Sequence, residues 1–109
     1  MKVSEIMKKI IVTDKNATVK EIAKIMSLKN VGSVSIVEGG KVIGIITERD
    51  VLRNMNRQSD KAEKIMSKNV KIIEADSEIE LAKEIMVENK IKRLPVLDGE
   101  KIVGIVTIT

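Results

Sequence analysis

Apolar and polar positions follow one order along this chain, and that order occurs twice. After Thr18, apolar residues recur at the spacing of one helix face, and two runs of Val and Ile follow at 34–37 and 41–46. Glu38-Gly39-Gly40 separates the two runs and predicts a tight hairpin. Because the runs are nearly all apolar instead of alternating, we expect both faces of the sheet to be covered. The second copy follows 60 residues later, with strands predicted at 94–97 and 101–106.

Short motifs predict where the helices begin and end. Thr18 and Glu21 have the spacing of a capping box, and the helix should end near Asn30. In the second copy, Ser77 and Glu80 are predicted to form the corresponding box. The remaining predicted elements are a helix from Asp50 to Met55 or Arg57, short strands at 10–13 and 70–73, and a polar boundary at 58–61.

The two copies match residue by residue in their hairpins. Of the seventeen pairs between 31–47 and 91–107, thirteen are identical or conservative. A duplication of this length predicts two units that bury their apolar faces against each other, because neither could form a sizeable core alone. We therefore predict one α/β domain of two pseudo-symmetric β-α-β-β-α repeats, 1–57 and 58–109, packed through their sheets. The second repeat is truncated, because the sequence stops at Thr109 before its final helix. The pairs that differ in kind are Gly32/Lys92, Ser33/Arg93, Ser35/Pro95 and Gly40/Glu100.

Composition excludes several classes of function. The chain has no Cys and no His, which excludes zinc sites built from these residues and nucleophile pairs of Ser-His or Cys-His type. It also has no Phe, Tyr or Trp, so nucleic-acid bases could not stack on aromatic rings. No catalytic motif or phosphate-binding glycine loop is present, so we expect no enzyme. The net charge of +4 comes from interspersed Lys and Glu, which favours a solvated surface over a nucleic-acid interface. The N-terminus has no apolar signal region and no apolar run could span a membrane, so we expect a cytoplasmic protein.

The segment from Gly44 to Asp50 carries the strongest candidate chemistry. It lies where a predicted strand leads into a helix, with Thr47 and Asp50 three residues apart. One interpretation is a capping box that only stabilises the helix. The other is a ligand site, in which the Asp50 carboxylate accepts hydrogen bonds from the vicinal hydroxyls of a ribose and the helix N-terminus favours phosphate. This short pattern alone leaves both interpretations open.

Several spaced motifs together resemble a tandem CBS domain pair, the Bateman module. They are the duplicated unit, the Ile-Met pair that opens each copy, the Leu-Pro-Val of the 91–96 segment, and Gly44-x-x-Thr47-x-x-Asp50. The resemblance implies two clefts between the repeats that bind adenosine derivatives such as AMP, ADP, ATP or S-adenosylmethionine as regulatory ligands. It implies no covalent cofactor and no metal. It also assigns Thr47 and Asp50 to the contacts with ribose and phosphate.

The segment from Asn89 to Val96 is similar to one in the gamma regulatory subunit of AMP-activated kinase. That likeness implies that Lys92 and Arg93 bind the phosphate of the ligand whose ribose Asp50 holds, with Lys92 in place of a histidine. In the other cleft, Gly32 and Ser33 stand where the two cations would be, so we expect one competent site. The further ligand-binding residues that the resemblance implies are Ile45, Arg49, Val70, Lys71, Lys90 and Ile91.

Two periodic features of the sequence have structural interpretations that involve no ligand or partner. Arg49, Arg53 and Arg57 recur every fourth residue, and we favour a solvated surface over contact with phosphates or a partner. Four methionines recur at equivalent positions of the two repeats, and we expect them to fill a core that lacks aromatic residues. They are Met7, Met26, Met66 and Met86.

The resemblance also implies partners. It predicts a homodimer with the shape of a flat disc and a sensor whose ligand occupancy is read by an effector protein. The main alternative is a scaffold that dimerises or docks to a partner without any small ligand. The third possibility, a nucleic-acid-binding accessory protein, depends on the pI of about 9.4 alone.

Overall fold

The computed structural model describes residues 1–108, and Thr109, where the second repeat was expected to stop short of its final helix, lies outside them. A 3-10 helix at Val3–Glu5 precedes six strands and four helices within that range. In chain order these are β1 Val12–Thr13, α1 Val19–Lys29, β2 Ser33–Glu38, β3 Lys41–Thr47, α2 Glu48–Arg53, α3 Ala62–Ile65, β4 Ile73–Glu74, α4 Ile79–Asn89, β5 Arg93–Asp98 and β6 Lys101–Thr107.

The strands form two three-stranded sheets with the same topology. In each sheet a parallel strand and an antiparallel strand flank the central one, in the orders β1-β2-β3 and β4-β5-β6. Both sheets carry one register shift, after Ile36 and after Val96. The predicted α/β fold of two repeated units is thereby confirmed.

Glycine closes both hairpins as predicted. Gly39 and Gly40 have φ angles of 58° and 78°, and Gly99 has 64°, in the left-handed region that side chains disfavour. In the middle of β2, Val34, Ser35 and Ile36 are all buried. Successive strand residues point to opposite faces, so both faces of this strand are covered, as its apolar composition predicts.

The chain folds as two compact units that do not follow its linear order. The first unit is Ile11–Val70, and the second unit combines Met1–Ile10 with the described residues from Lys71 onwards. We call Met1–Ile10 the N-terminal arm. In the second unit, the amides of Val3 and Lys8 donate to the carbonyls of Ser77 and Ile105, each at 2.8 Å. In the first unit, the segment that corresponds to the N-terminal arm contains Ser67. The amide of Ser67 donates to the Ile45 carbonyl on β3 at 3.0 Å.

Each unit has its own apolar core. In the first unit, the buried face of α1 packs with β2, β3 and the helices α2 and α3 around Ile22 and Ile36. In the second unit, α4 packs on its sheet around Leu94 and Val96, with Val3 of the N-terminal arm fully buried among them. The expectation that methionines pack in the core is confirmed, because Met26 and Met86 are buried and Met66 and Met7 are packed against the two clusters.

The capping box predicted at Ser77 and Glu80 is wrong. The residue that precedes α4 is Glu78, and its side chain makes no capping hydrogen bond. The amide of Ile79 instead donates to the carbonyl of Met1 at 3.0 Å, so the N-terminal arm supplies an acceptor at this helix end. The period of 60 residues already places Glu78, not Ser77, opposite Thr18.

Two other predicted boundaries are shifted. The helix expected from Asp50 begins at Glu48 and ends at Arg53, because Thr47 is its N-cap and the backbone turns at Asn54. The strand expected at 70–73 is reduced to Ile73–Glu74, where it pairs with β5. The short helix α3 at Ala62–Ile65 was not predicted from the sequence.

The capping box at the start of α1 is confirmed and gives a test by pH. The amide and hydroxyl of Thr18 each donate to Oε1 of Glu21 at 3.0 Å. These bonds favour the charged carboxylate, so the pKa of Glu21 is lowered, with the Thr18 amide as the larger cause. Stability from this box is present above the usual pKa of glutamate and is lost as the pH falls through the lowered value.

We expect an NMR titration to find the Glu21 carboxyl below the usual glutamate pKa in the native chain. Thr18→Ala removes the hydroxyl donor and leaves the amide, so it should return the pKa only part of the way. A Glu21 pKa in the usual range would show that the box is not formed in solution.

Candidate functional site

The candidate site is built on the junction between β3 and α2. Thr47 ends β3 and caps α2, and Asp50 is the third residue of the helix. The Thr47 amide donates to Oδ2 of Asp50 at 2.9 Å and the Thr47 hydroxyl donates to the same oxygen at 3.1 Å. The Asp50 amide points back to the Thr47 hydroxyl at 3.5 Å. The capping interpretation of this motif is therefore confirmed.

Capping does not use the whole Asp50 carboxylate. Within residues 1–108, the hydrogen bonds to this side chain all reach Oδ2, and none reaches Oδ1. The side chain is half-buried, and the Asn54 amide group holds the Asp50 carbonyl at 2.7 Å. One carboxylate oxygen is thus held in place while the other can accept donors from a ligand. A pair of vicinal hydroxyls offers donors of the kind that this oxygen accepts.

A second contact fixes the junction to the loop before β2. The Glu48 amide donates to the carbonyl of Gly32 at 3.1 Å, and Ser33 pairs with Thr47 across the sheet. Gly32 and Asn54 therefore help to position the site, and neither role was predicted from the sequence. The signal for Gly32 was present, because it is one of the four positions at which the repeats differ in kind.

Three more predicted residues belong to the same unit. Ile45 lies two residues before Thr47 on β3 and exchanges backbone hydrogen bonds with Ser67 at 3.1 and 3.0 Å. Val70 follows Ser67 by three residues and is half-buried. Arg49 is exposed on the first turn of α2. Ile45 and Val70 can supply apolar surface, whereas Arg49 lies in solvent.

The other five predicted residues belong to the second unit. Lys92 and Arg93 enter β5, where Arg93 pairs with Thr107 and the Lys92 carbonyl accepts from the Ile108 amide at 3.0 Å. This bond repeats the one between Gly32 and Glu48, so Lys92 occupies the position of Gly32 in its own unit. The remaining three are Lys71 before β4, Lys90, which ends α4 in the left-handed conformation, and Ile91, whose amide donates to the Met86 carbonyl.

The predicted cations have no acidic partner in the part of the chain that the structure describes. Its ion pairs involve the N-terminal amine and the side chains of Lys2, Lys15 and Lys64. A phosphate that bound Lys92 and Arg93 would therefore displace no existing ion pair there. Lys92 is exposed and Arg93 is half-buried.

Two other kinds of feature are absent from residues 1–108. No group of three or more Asp or Glu side chains there is arranged to hold a metal ion. Among those same residues, no helix has both the length and the apolar character needed to cross a bilayer.

Comparison with known proteins gives the family context of this geometry. The family described as "CBS domain" matches residues 3–57 and again 62–109. An uncharacterised 17.7 kDa protein of Acidianus ambivalens is 40% identical over 112 residues, which cover 98% of this chain and 68% of that protein. The inosine-5'-monophosphate dehydrogenase of Methanocaldococcus jannaschii is 32% identical over 105 residues, which cover 94% of this chain and only 21% of the enzyme.

Solved structures agree with the fold. The CBS domain pair of protein MJ0100, in complex with 5'-methylthioadenosine and S-adenosyl-L-methionine, superposes with a TM-score of 0.89 at 32% identity. The alignment covers 98% of this chain and 89% of that one. The CBS domain protein PAE2072 from Pyrobaculum aerophilum, complexed with AMP, has a TM-score of 0.86 over 98% of this chain and 87% of its own. At 19% identity, this second likeness concerns the fold alone.

Proposed function

We propose that this chain, which belongs to the CBS-domain family and carries two copies of that domain in tandem, is a regulatory module that binds an adenosine derivative. The observation that carries the proposal is the Asp50 carboxylate. Its Oδ2 is held by Thr47 at 2.9 and 3.1 Å, which leaves Oδ1 to accept from the two hydroxyls of a ribose. The likeness to a CBS pair that was solved with two adenosine compounds supports the ligand class.

The base of the ligand would have to be held without aromatic stacking. The chain contains no Phe, Tyr or Trp, so aliphatic side chains and backbone groups are the available contacts. Ile45 and Val70 are half-buried in the same unit as Asp50 and are proposed for this role. Backbone amides and carbonyls would then recognise the edge of the adenine ring through hydrogen bonds.

The ligand is further proposed to carry phosphate. By the sequence resemblance, Lys92 and Arg93 are the phosphate-binding residues, supported by Lys90, Lys71 and the backbone of Ile91. Two cations favour AMP, ADP or ATP over S-adenosylmethionine, which carries a positive sulfonium itself. Lys92 places an ammonium donor where the similar segment has a histidine.

The signal is proposed to be a shift of conformational populations that an effector protein reads. The chain spans 68% of the Acidianus relative but only about a third of another Methanocaldococcus jannaschii relative and a fifth of the dehydrogenase. A CBS pair can therefore be part of a much longer protein. The effector is proposed to be either a separate chain or another domain joined to the CBS pair in one protein.

Thermal unfolding with and without ligands tests the proposal. A compound that binds only the native state at about 100 times its Kd adds about 2.7 kcal/mol of stability, which raises the midpoint by roughly 10 °C in a domain of this size. We expect this shift with AMP or ATP and less with 5'-methylthioadenosine or S-adenosylmethionine. GMP serves as the control for the base.

The scaffold alternative predicts no shift with any of these compounds. One observation supports the scaffold alternative. Leu28 and Leu52, on helices of the first unit, expose 76% and 71% of their surface. Exposed apolar side chains of this size are typical of protein interfaces when they cluster. Unchanged midpoints at millimolar concentrations of all five compounds would favour that function over ligand sensing.

A further inference from the structure

Met66 packs on Gly44, the glycine that opens the motif of the candidate site. The sulfur and Cγ of Met66 are the atoms closest to a Cβ placed at Gly44, and the Met66 Cβ atom follows at 2.9 Å. The methionine therefore occupies the space that a side chain at residue 44 would need. In the second unit, the sulfur of Met7 lies in the same way against Gly104. The same contact between a thioether and a strand glycine is thus present in both units.

Met66 begins a segment that few hydrogen bonds hold in place. The 66–70 segment follows α3 and ends at Val70, one of the two side chains proposed to hold the base of the ligand. Within residues 1–108, its main-chain bonds to β3 are the two that Ile45 and Ser67 exchange, at 3.1 and 3.0 Å. No main-chain hydrogen bond in that part of the chain reaches residues 68–70. Because segments with so few bonds open locally, the apolar contact at the start of this one contributes much of its attachment.

Methionine side chains are the groups of this chain that mild oxidants modify, because it has six methionines and no cysteine. Their exposure differs widely. Met1 and Met55 expose 67% and 51% of their surface, whereas Met26 and Met86 expose 7% and 2%. Met66 lies between these extremes, since it is half-buried. Local opening of its segment gives a small peroxide access to the sulfur, whereas the two core methionines become accessible only when their core opens.

We propose that the Met66 thioether is an oxidation site that controls the attachment of the 66–70 segment to β3. Hydrogen peroxide transfers one oxygen atom to the sulfur, its O–O bond breaks and water leaves, so the sulfur loses the two electrons that the peroxide gains. The product, methionine sulfoxide, is larger at the sulfur and polar. The sulfur already fills the space above Gly44, and an S=O group buried there without a hydrogen-bond donor is costly. The sulfoxide therefore favours the open arrangement of the segment.

The consequence for the ligand rests on the proposed function. Opening of the segment removes Val70 from the site and breaks both bonds to Ile45, which lies two residues before Thr47 on β3. A chain whose segment is closed in only about a tenth of the molecules binds its ligand about ten times more weakly than a fully closed chain. Linkage is reciprocal, so bound AMP should keep the segment closed and slow the oxidation of Met66.

Timed treatment with hydrogen peroxide, followed by peptide mass spectrometry and hydrogen exchange, tests the proposal. The two exposed methionines should be oxidised first, Met66 next and the two core methionines last. Once Met66 is oxidised, exchange of the Ser67 amide should be roughly tenfold faster or more, and the Kd for AMP should rise about tenfold. Methionine sulfoxide reductases of both stereospecificities, with a thiol reductant, should restore both values.

Substitutions at residues 66 and 55 separate this contact from general oxidative damage. Met66→Leu keeps the apolar volume and removes the sulfur, so Ser67 exchange and the Kd for AMP should stay the same before and after peroxide. Met66→Gln is polar, as the sulfoxide is, and should give the faster exchange and the weaker binding without any oxidant. Met55→Leu and Met55→Gln are the matched controls at an exposed methionine and should behave as the native chain does. Circular dichroism verifies that each variant folds.

Two results would overturn the proposal. Unchanged Ser67 exchange in a native chain whose Met66 is fully oxidised would show that the sulfoxide fits against Gly44. A Met66 that resists peroxide for as long as the core methionines would show that the 66–70 segment does not open. A reduced native chain that binds no adenosine compound would contradict the proposed function instead, because Ser67 exchange is measured without ligand and still decides whether oxidation releases the segment.

Discussion

Asp50→Ala is expected to weaken binding of AMP or ATP by about 10- to 150-fold. The substitution removes the carboxylate that accepts from the ribose hydroxyls, and it leaves those donors without a partner in the bound ligand. Losing a hydrogen bond to a charged group typically costs about 1.5–3 kcal/mol, which corresponds to that change in Kd. Isothermal titration calorimetry measures it directly.

The chain contains its own control for the capping part of this effect. Glu21 of α1 makes the same kind of box with Thr18 that Asp50 makes with Thr47. Both alanine variants lose the acidic half of a capping box, so both should unfold at a lower urea concentration than the native chain. Only Asp50→Ala should lose affinity for the ligand, because no ligand contact is proposed for Glu21.

A deoxy ligand assigns the interaction to the ribose. The native chain should bind 2'-deoxy-AMP more weakly than AMP, and Asp50→Ala should bind the two with nearly equal affinity. This comparison is a thermodynamic cycle, so general damage to the site cancels. If native and Asp50→Ala chains bound AMP equally, Asp50 would have no place in the binding site and only the capping role would remain.

Local patterns predicted most of each unit. Helix α1 and both hairpins follow from apolar spacing, the Thr18 box and the glycine turns, all of which act over a few residues. The junction of Thr47 and Asp50 was predictable for the same reason. Of its two partners, Gly32 stood out as a difference between the repeats, but its carbonyl contact and the side-chain contact of Asn54, which follows α2, have no motif in the sequence.

Contacts between distant segments explain the wrong prediction at α4. The spacing of Ser77 and Glu80 satisfies the capping pattern, but the helix instead begins where the Met1 carbonyl meets the Ile79 amide. That contact joins residues 78 positions apart, and no local motif encodes it. The Ile-Met pair occurs in both repeats, at Ile6-Met7 and at Ile65-Met66. It marks the two segments as equivalent, but it does not indicate which hairpin each one contacts.

The assignments of Lys71, Lys90 and Ile91 have a different status. They depend on the family resemblance alone. Lys90 also has a structural role, because its left-handed conformation ends α4. The ligand-binding roles of these three residues stay predictions, and titrations of their variants with AMP or ATP would test them.

Gly104→Ala is expected to destabilise the protein by about 1–3 kcal/mol, the usual cost of overpacking a close contact. A Cβ atom at this position in β6 would lie 2.8 Å from the sulfur of Met7 and 2.9 Å from the main-chain carbonyl oxygen of Lys8. The N-terminal arm therefore fits against β6 only because residue 104 has no side chain. The methionine side chain can move aside, but the carbonyl cannot without losing the arm's hydrogen bonds to Ile105.

Gly44→Ala is the matched comparison, because Gly44 is the repeat counterpart of Gly104. The closest atoms to a Cβ placed there are the sulfur and Cγ of Met66, and the Met66 Cβ atom follows at 2.9 Å. Rotation can move the sulfur and Cγ of Met66 but not its Cβ, so Gly44→Ala should destabilise the first unit about as much as Gly104→Ala destabilises the second in urea unfolding. In Gly104→Ala, hydrogen exchange of the Lys8 amide should also accelerate as the arm detaches. Equal stability of Gly104→Ala and the native chain would mean that the arm does not pack on β6 in solution.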